Sequence, residues 1–241
     1  SKSDVTECKY SIPDFAKEFL LKHYPPSRDL VQSVNNNIKK LSGSFEQASL
    51  ASNINEFNIK ALEIRNQNEK VIARYLHESL RLSHPRIKKM DEALDQISRA
   101  KEIVPNYFEI YRISALIKSY RGDLLGANED YLIALEIEPN NARLLYFYSM
   151  FMLTKMNDVE SALTYAKKAY EIKPESLEIA ICYARCMGYQ GNFDVAIDIL
   201  DKRFNDDTQM PPDTFRVITT IMIDLYRRWA NTDVDLNCDR K

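Results

Sequence analysis

The chain has 241 residues, 45% of them apolar, and its 33 basic and 35 acidic side chains leave a formal net charge of −2. That is enough for one or two domains with a sizeable core, and the near-balance of charge argues against nucleic acid as a partner. Four scattered cysteines make no disulfide framework and fit a reducing, cytoplasmic compartment; the longest apolar run, residues 144–153, is about half of what a bilayer requires, so no membrane partner is expected.

Five glycines against 14 tyrosines point to an all-helical chain with aromatic packing. Residues 4–24 read as a short extended piece and then a helix with Ile12, Phe15, Ala16, Phe19 and Leu20 on one side, started by Ser11 and Pro13. Pro25-Pro26 break the chain. A second helix over 28–41 carries Leu30, Val31, Val34, Ile38 and Leu41, and Ser42-Gly43-Ser44 link it onward. From 54 to 83, apolar positions running from Phe57 to Leu80 predict one long helix or two short ones, weakest at Asn66-Gln67-Asn68 and ended by His84-Pro85. Residues 86–104 complete a first helix pair. The second pair fills 107–141, the third joins 141–155 to 159–172, and the fourth joins 175–189 to 193–204. An amphipathic helix over 213–230, through Phe215, Ile218, Met222, Leu225 and Trp229, covers the end of the stack, and the polar residues 231–241 are expected to be disordered.

These pairs are an internal repeat. Ala93, Ala127, Ala162 and Ala196 stand 34, 35 and 34 residues apart; Ala100, Ala134 and Ala169 keep the same step, as do Pro105, Pro139 and Pro174. Ala127 and Ala134 share one helix face, where their missing bulk lets a partner helix approach. Gly122 supplies a permissive backbone between helices, and Pro139 ends the second helix. The third repeat is one residue long near Lys155-Met156-Asn157, where a glycine is missing, and the fourth has Arg203 where a small alanine should stand. A 34-residue period with small residues in the second helix and a proline after it closely resembles the tetratricopeptide pattern. The implied fold is an all-α, tetratricopeptide-type solenoid of about four helix pairs, the first atypical, with helices before it and a capping helix after it.

Sites of chemistry are sparse. There is no phosphate-binding loop, and His23, His77 and His84 have no metal-ligand spacing. Cys182 and Cys186 lie one turn apart without further ligands and read as buried small residues. Arg121-Gly122-Asp123 falls where the repeat needs its interhelical glycine, and Asp194, Asp198 and Asp201 read as a solvated face. No catalytic residue, metal or cofactor is expected.

By the tetratricopeptide resemblance, the first helix of each repeat lines a concave groove that holds a protein or peptide. Arg112, Ile113, Leu116 and Tyr120 would face it from one repeat, Tyr146, Phe147 and Met150 from the next, and Cys182, Arg185 and Tyr189 from the fourth. Such side chains are enriched in interface cores. Residues 144–153 are apolar on every side, so Tyr146 and Phe147 fit core and groove alike. The chaperone-tail carboxylate clamp is not expected, because Arg143 is followed one turn later by Phe147 and no asparagine follows the opening of 107–120.

The phrases FEIYRISALIKSYRGDLLGANEDYLIALEIEP and LLYFYSMFMLTKMNDVESALTYAKKAYEIKPES resemble the tetratricopeptide arms of bacterial STAND signalling ATPases, and KYSIPDFAKEFLL, residues 9–21, resembles the end of the winged helix that precedes such arms. The resemblance implies a division into 1–25 (winged-helix end), 26–85 (linker and first-repeat region), 86–207 (repeats), 208–230 (cap) and 231–241 (tail). It implies an intracellular sensor arm that contacts an upstream nucleotide-binding domain of the same chain and recognises a phage or other foreign protein. The sequence starts at Ser1 and is read as a piece of something longer. The alternative is a stand-alone scaffold or co-chaperone adaptor with a peptide in its groove.

Overall fold

The computed structural model describes Ser27, residues 55–206 and residues 212–238. The chain divides into two compact units, Ser1–Ile54 and Asn55–Lys241, and the helices described here belong to the second. The helices expected over 11–24 and 28–41, and the winged-helix resemblance of 9–21, lie outside the described residues.

The described residues form four helix pairs and a closing helix: α1 (Gln67–Leu82) with α2 (Met90–Ile103), α3 (Phe108–Arg121) with α4 (Leu124–Ile137), α5 (Ala142–Phe151) with α6 (Val159–Ile172), α7 (Leu177–Tyr189) with α8 (Phe193–Asp206), and α9 (Pro212–Cys238). Side-chain caps set their starts. Asn66, Asp123, Asn141, Asp158 and Ser176 each accept a hydrogen bond from the backbone N–H three residues on, which satisfies a donor the first turn leaves free.

The alanine series is the seam of each pair. Ala93, Ala127, Ala162 and Ala196 are fully buried, and so are Ala100, Ala134 and Ala169, so a larger side chain at any of them would push paired helices apart. The turns repeat in register too: Lys88, Gly122, Asn157 and Gly191 all take positive φ, at 54°, 92°, 56° and 91°. Asn157 thus fills the place of the missing glycine, a conformation asparagine tolerates better than most residues. The extra residue of the third repeat is absorbed by a π-helical turn, Met152–Met156, that continues α5 and is closed by Asp158 N–H donating to the Met152 carbonyl at 3.0 Å. Arg203, which replaces a small residue, reaches out and donates to the Pro174 carbonyl instead of packing in the seam.

Two expectations are corrected. Within the stretch expected over 54–83, the described residues 55–83 are neither one long helix nor two: helix begins only at Gln67. Asn55 and Asn58 accept from the N–H groups of Phe57 and Lys60, both at 2.9 Å, and these Asx turns divert the backbone from helix. Two turns result, closed by Asn58 N–H to the Asn55 carbonyl and Ala61 N–H to the Asn58 carbonyl, and a run with no regular secondary structure leads to the cap at Asn66. Residues 55–65 are called the strap below. At the other end, α9 continues to Cys238, past the point where a disordered tail was expected, since no glycine or proline interrupts 213–238. Its Ile218 and Leu225 are buried, and Trp229 stacks on Phe193 of α8 with centroids 6.4 Å apart. Gly188 of α7 allows this docking, since a Cβ there would lie 2.1 Å from Leu225 Cδ2.

A candidate protein-binding face on the first helices

Three of the four first helices open with a charged residue at the second position: Glu109 in α3, Arg143 in α5 and Glu178 in α7. Glu109 and Arg143, 34 residues apart, form an ion pair across the repeat boundary, and Arg112 one turn along α3 holds the other Glu109 oxygen. The cluster is inside the protein, with Arg112 at 1% and Arg143 at 6% exposure. Burial alone would raise the Glu109 carboxyl, but the Arg112 and Arg143 guanidiniums hold it below its ordinary range. Burial likewise lowers Arg143, partly offset by Glu109.

What buries the cluster is the strap. Arg112 donates to the carbonyls of Ile59 (3.3 Å) and Ala61 (3.0 Å); Arg143 donates to the carbonyls of Glu56 (2.5 Å) and Ala61. Glu63 is held from both sides: its N–H donates to Glu109 at 2.9 Å, and its carbonyl accepts from the Tyr107 hydroxyl at 2.7 Å. Its carboxylate accepts from Asn141 at 2.8 Å. Phe57 is buried in a cluster with Leu145, Ala169 and Ile179, and meets Tyr146 edge-on at 5.0 Å. At the outer end, Asn55 donates to Glu178 and Lys173 pairs with Glu56, both at exposed positions. The strap therefore crosses the repeats in reverse order, from α7 through α5 to α3.

The residues expected in the groove separate into three groups. Ile113 and Cys182 are core, not lining. The sulfurs of Cys182 and Cys186 lie 3.5 and 3.8 Å from Ser149 Oγ, and the neighbouring Cys186 sulfur together with burial raises the Cys182 thiol well above its ordinary range. Arg112, Tyr146 and Phe147 belong to the floor beneath the strap. Both guanidiniums lie over the Phe147 ring, Arg112 at 4.7 Å and Arg143 at 5.5 Å, and burial raises the Tyr146 hydroxyl to about 12. Leu116, Met150 and Arg185 are half-buried, and Tyr120 and Tyr189 are open at 46% exposure each. The Arg228 guanidinium of α9 covers one side of Tyr189 at 4.4 Å, so that residue also serves the cap.

Sequence reasoning missed Glu109, Arg143, Tyr107, Asn141 and the strap itself. A signal was present: a glutamate and an arginine stand at equivalent repeat positions in helices that are otherwise apolar there. Among the described residues no group of three or more His, Cys, Asp and Glu is arranged to hold a metal ion, and no helix is long and apolar enough to cross a membrane.

Comparison with known structures supports the same architecture. A tetratricopeptide repeat protein from Parabacteroides merdae superposes with a TM-score of 0.54 at 18% identity, covering 92% of this chain and 76% of that one. It has the tetratricopeptide-type solenoid fold. PilW, a widely conserved type IV pilus biogenesis factor, is similar with a TM-score of 0.52 at 20% identity over 69% of this chain and 78% of its own. At such identities the likeness is one of fold. No protein-family model matches the chain, and no curated protein matches it.

Proposed function

We propose that this solenoid is a protein-interaction module without catalysis of its own, and that it serves as the cytoplasmic sensor arm of a STAND-type ATPase, with a foreign protein as trigger. The observation that carries the interaction reading is that the first-helix face already holds a polypeptide segment. The strap is gripped through main-chain carbonyls by buried arginines and through one aromatic side chain. A face that holds one segment this way has the chemistry to hold another. The sensor-arm reading is supported by the STAND-like phrases in the second and third repeats. Its mechanism is differential binding: a trigger shifts the arm only as far as it prefers one arrangement over the other.

Two experiments test these readings separately. The coding frame ahead of Ser1 should contain a phosphate-binding loop followed by a winged helix; a frame without them removes the ATPase context and leaves a free-standing adaptor. A photocrosslinking residue at position 120 should then capture a protein whose yield drops when Tyr189→Ala is added in a folded chain. Capture unaffected by Tyr189→Ala would place the partner elsewhere.

A further inference from the structure

We infer that residues 55–65 are a resident pseudo-ligand of the first-helix face. The partner whose place they hold is a segment of like chemistry: an aromatic side chain, a stretch read through its carbonyls, and a carboxylate six residues after the aromatic. The inference rests on the interaction-module reading and specifies its ligand.

The strap contacts fall into two classes. Carbonyls of Glu56, Ile59, Ala61 and Glu63 accept from Arg143, Arg112 and Tyr107, and any sequence can supply those oxygens. Side-chain recognition falls at Phe57, in its pocket against Tyr146, at Glu63, whose carboxylate meets Asn141, and at Arg65, which pairs with Glu138 and lies over the Phe108 ring at 5.2 Å. Ile59 and Lys60 between them are exposed and free to differ, whereas Asn58 shapes the turn through its side chain. The face thus reads spaced side-chain anchors over a backbone grip.

The attachment is also graded along its length. The outer end is held by the exposed Asn55–Glu178 and Glu56–Lys173 contacts, which solvent replaces at little cost, whereas the Glu63 end is tied to buried groups. Displacement therefore starts at Asn55 and the Glu56 side chain, and the Arg143 grip on the Glu56 carbonyl and the buried Phe57 ring give way next.

The test uses the full chain and a labelled peptide of residues 55–65, NEFNIKALEIR. The peptide should bind the Phe57→Ala chain about tenfold more tightly than the unaltered chain, because the competing strap has lost its anchor. Peptides carrying Phe57→Ala or Glu63→Gln should bind more weakly. In the unaltered chain, excess peptide should accelerate hydrogen exchange of the Glu63 and Arg65 amides, which donate to Glu109 and Glu69. If Phe57→Ala fails to fold, Glu56→Gln in the strap, which removes its pair with Lys173, replaces it, with a smaller gain expected. Absence of peptide binding to every folded chain, or binding that leaves those two amides unchanged, overturns the inference. Should a partner still be captured from position 120, the strap is a fixed part of the fold and the interaction reading stands on the open face alone.

Discussion

Glu109 and Arg143 occupy the same position in successive repeats, 34 residues apart, and the buried ion pair between them ties two repeats together beneath the strap. Equivalent positions in a stacked repeat recur at a fixed step along the solenoid. Opposite charges there meet only if the stack forms, so the pair reports on the repeat interface. It leaves a second guanidinium, Arg112, on the same carboxylate, and the strap carbonyls take up the remaining donors.

Removing the shared carboxylate should therefore be severe. Glu109→Gln leaves two buried guanidiniums facing each other without a counter-charge, a change of the kind that costs about 3–5 kcal/mol. Denaturant unfolding should show this loss, and the Arg65 amide of the strap should exchange faster. A change below about 1 kcal/mol would mean that water reaches the cluster.

Acid should act through the same group. The folded carboxyl of Glu109 lies below its ordinary value of 4.5, so the unfolded chain takes up the proton first. The stability this supplies is fully present above 4.5 and is lost as pH falls through the lower, folded value. Stability measured between pH 7 and pH 3 should fall mainly below 4.5, and Glu109→Gln should make the fall shallower. An identical slope in both proteins would assign acid sensitivity to other carboxylates.

The turns supply a prediction of opposite sign. Lys88 holds φ of 54° at the position where Gly122 and Gly191 hold 92° and 91°. A left-handed conformation costs a lysine about 1–2 kcal/mol, of which the added freedom of glycine in the unfolded chain takes back part. Lys88→Gly should stabilise the protein by about 0.5–1 kcal/mol. Gly122→Ala should destabilise it by about 1 kcal/mol through the backbone alone, because an added Cβ there meets nothing within 4 Å. Thermal unfolding of both variants checks the pair of signs.

The fold was legible because its signals are covalent and periodic: alanines at a fixed step mark the seam, and prolines end the second helices. The π-helical turn at Met152–Met156 falls at the extra residue, which the repeat arithmetic located although not in that form. The face was legible only in part. Periodicity says which helices line it but not what lies on it, and the strap carries apolar residues at spacings that imitate a helix. Asn55 and Asn58 override that pattern locally, through hydrogen bonds to their own backbone. Phe147 illustrates the remaining ambiguity. It is half-buried because two guanidiniums cover it, an environment neither a core nor an open groove would provide.

Tyr146 and Tyr189, read alike from the sequence, should behave differently. Tyr146 is packed against Phe57 and Phe147, so Tyr146→Ala should cost about 2–4 kcal/mol and loosen the strap. Tyr189 stands half in solvent with Arg228 over its ring, so Tyr189→Ala should cost no more than about 1 kcal/mol and leave the strap in place. Denaturation midpoints give the first difference and exchange at the Glu63 amide the second. Equal losses from both substitutions would mean that the strap does not rest on Tyr146, and would move the anchoring of residues 55–65 onto the arginine–carbonyl grip alone.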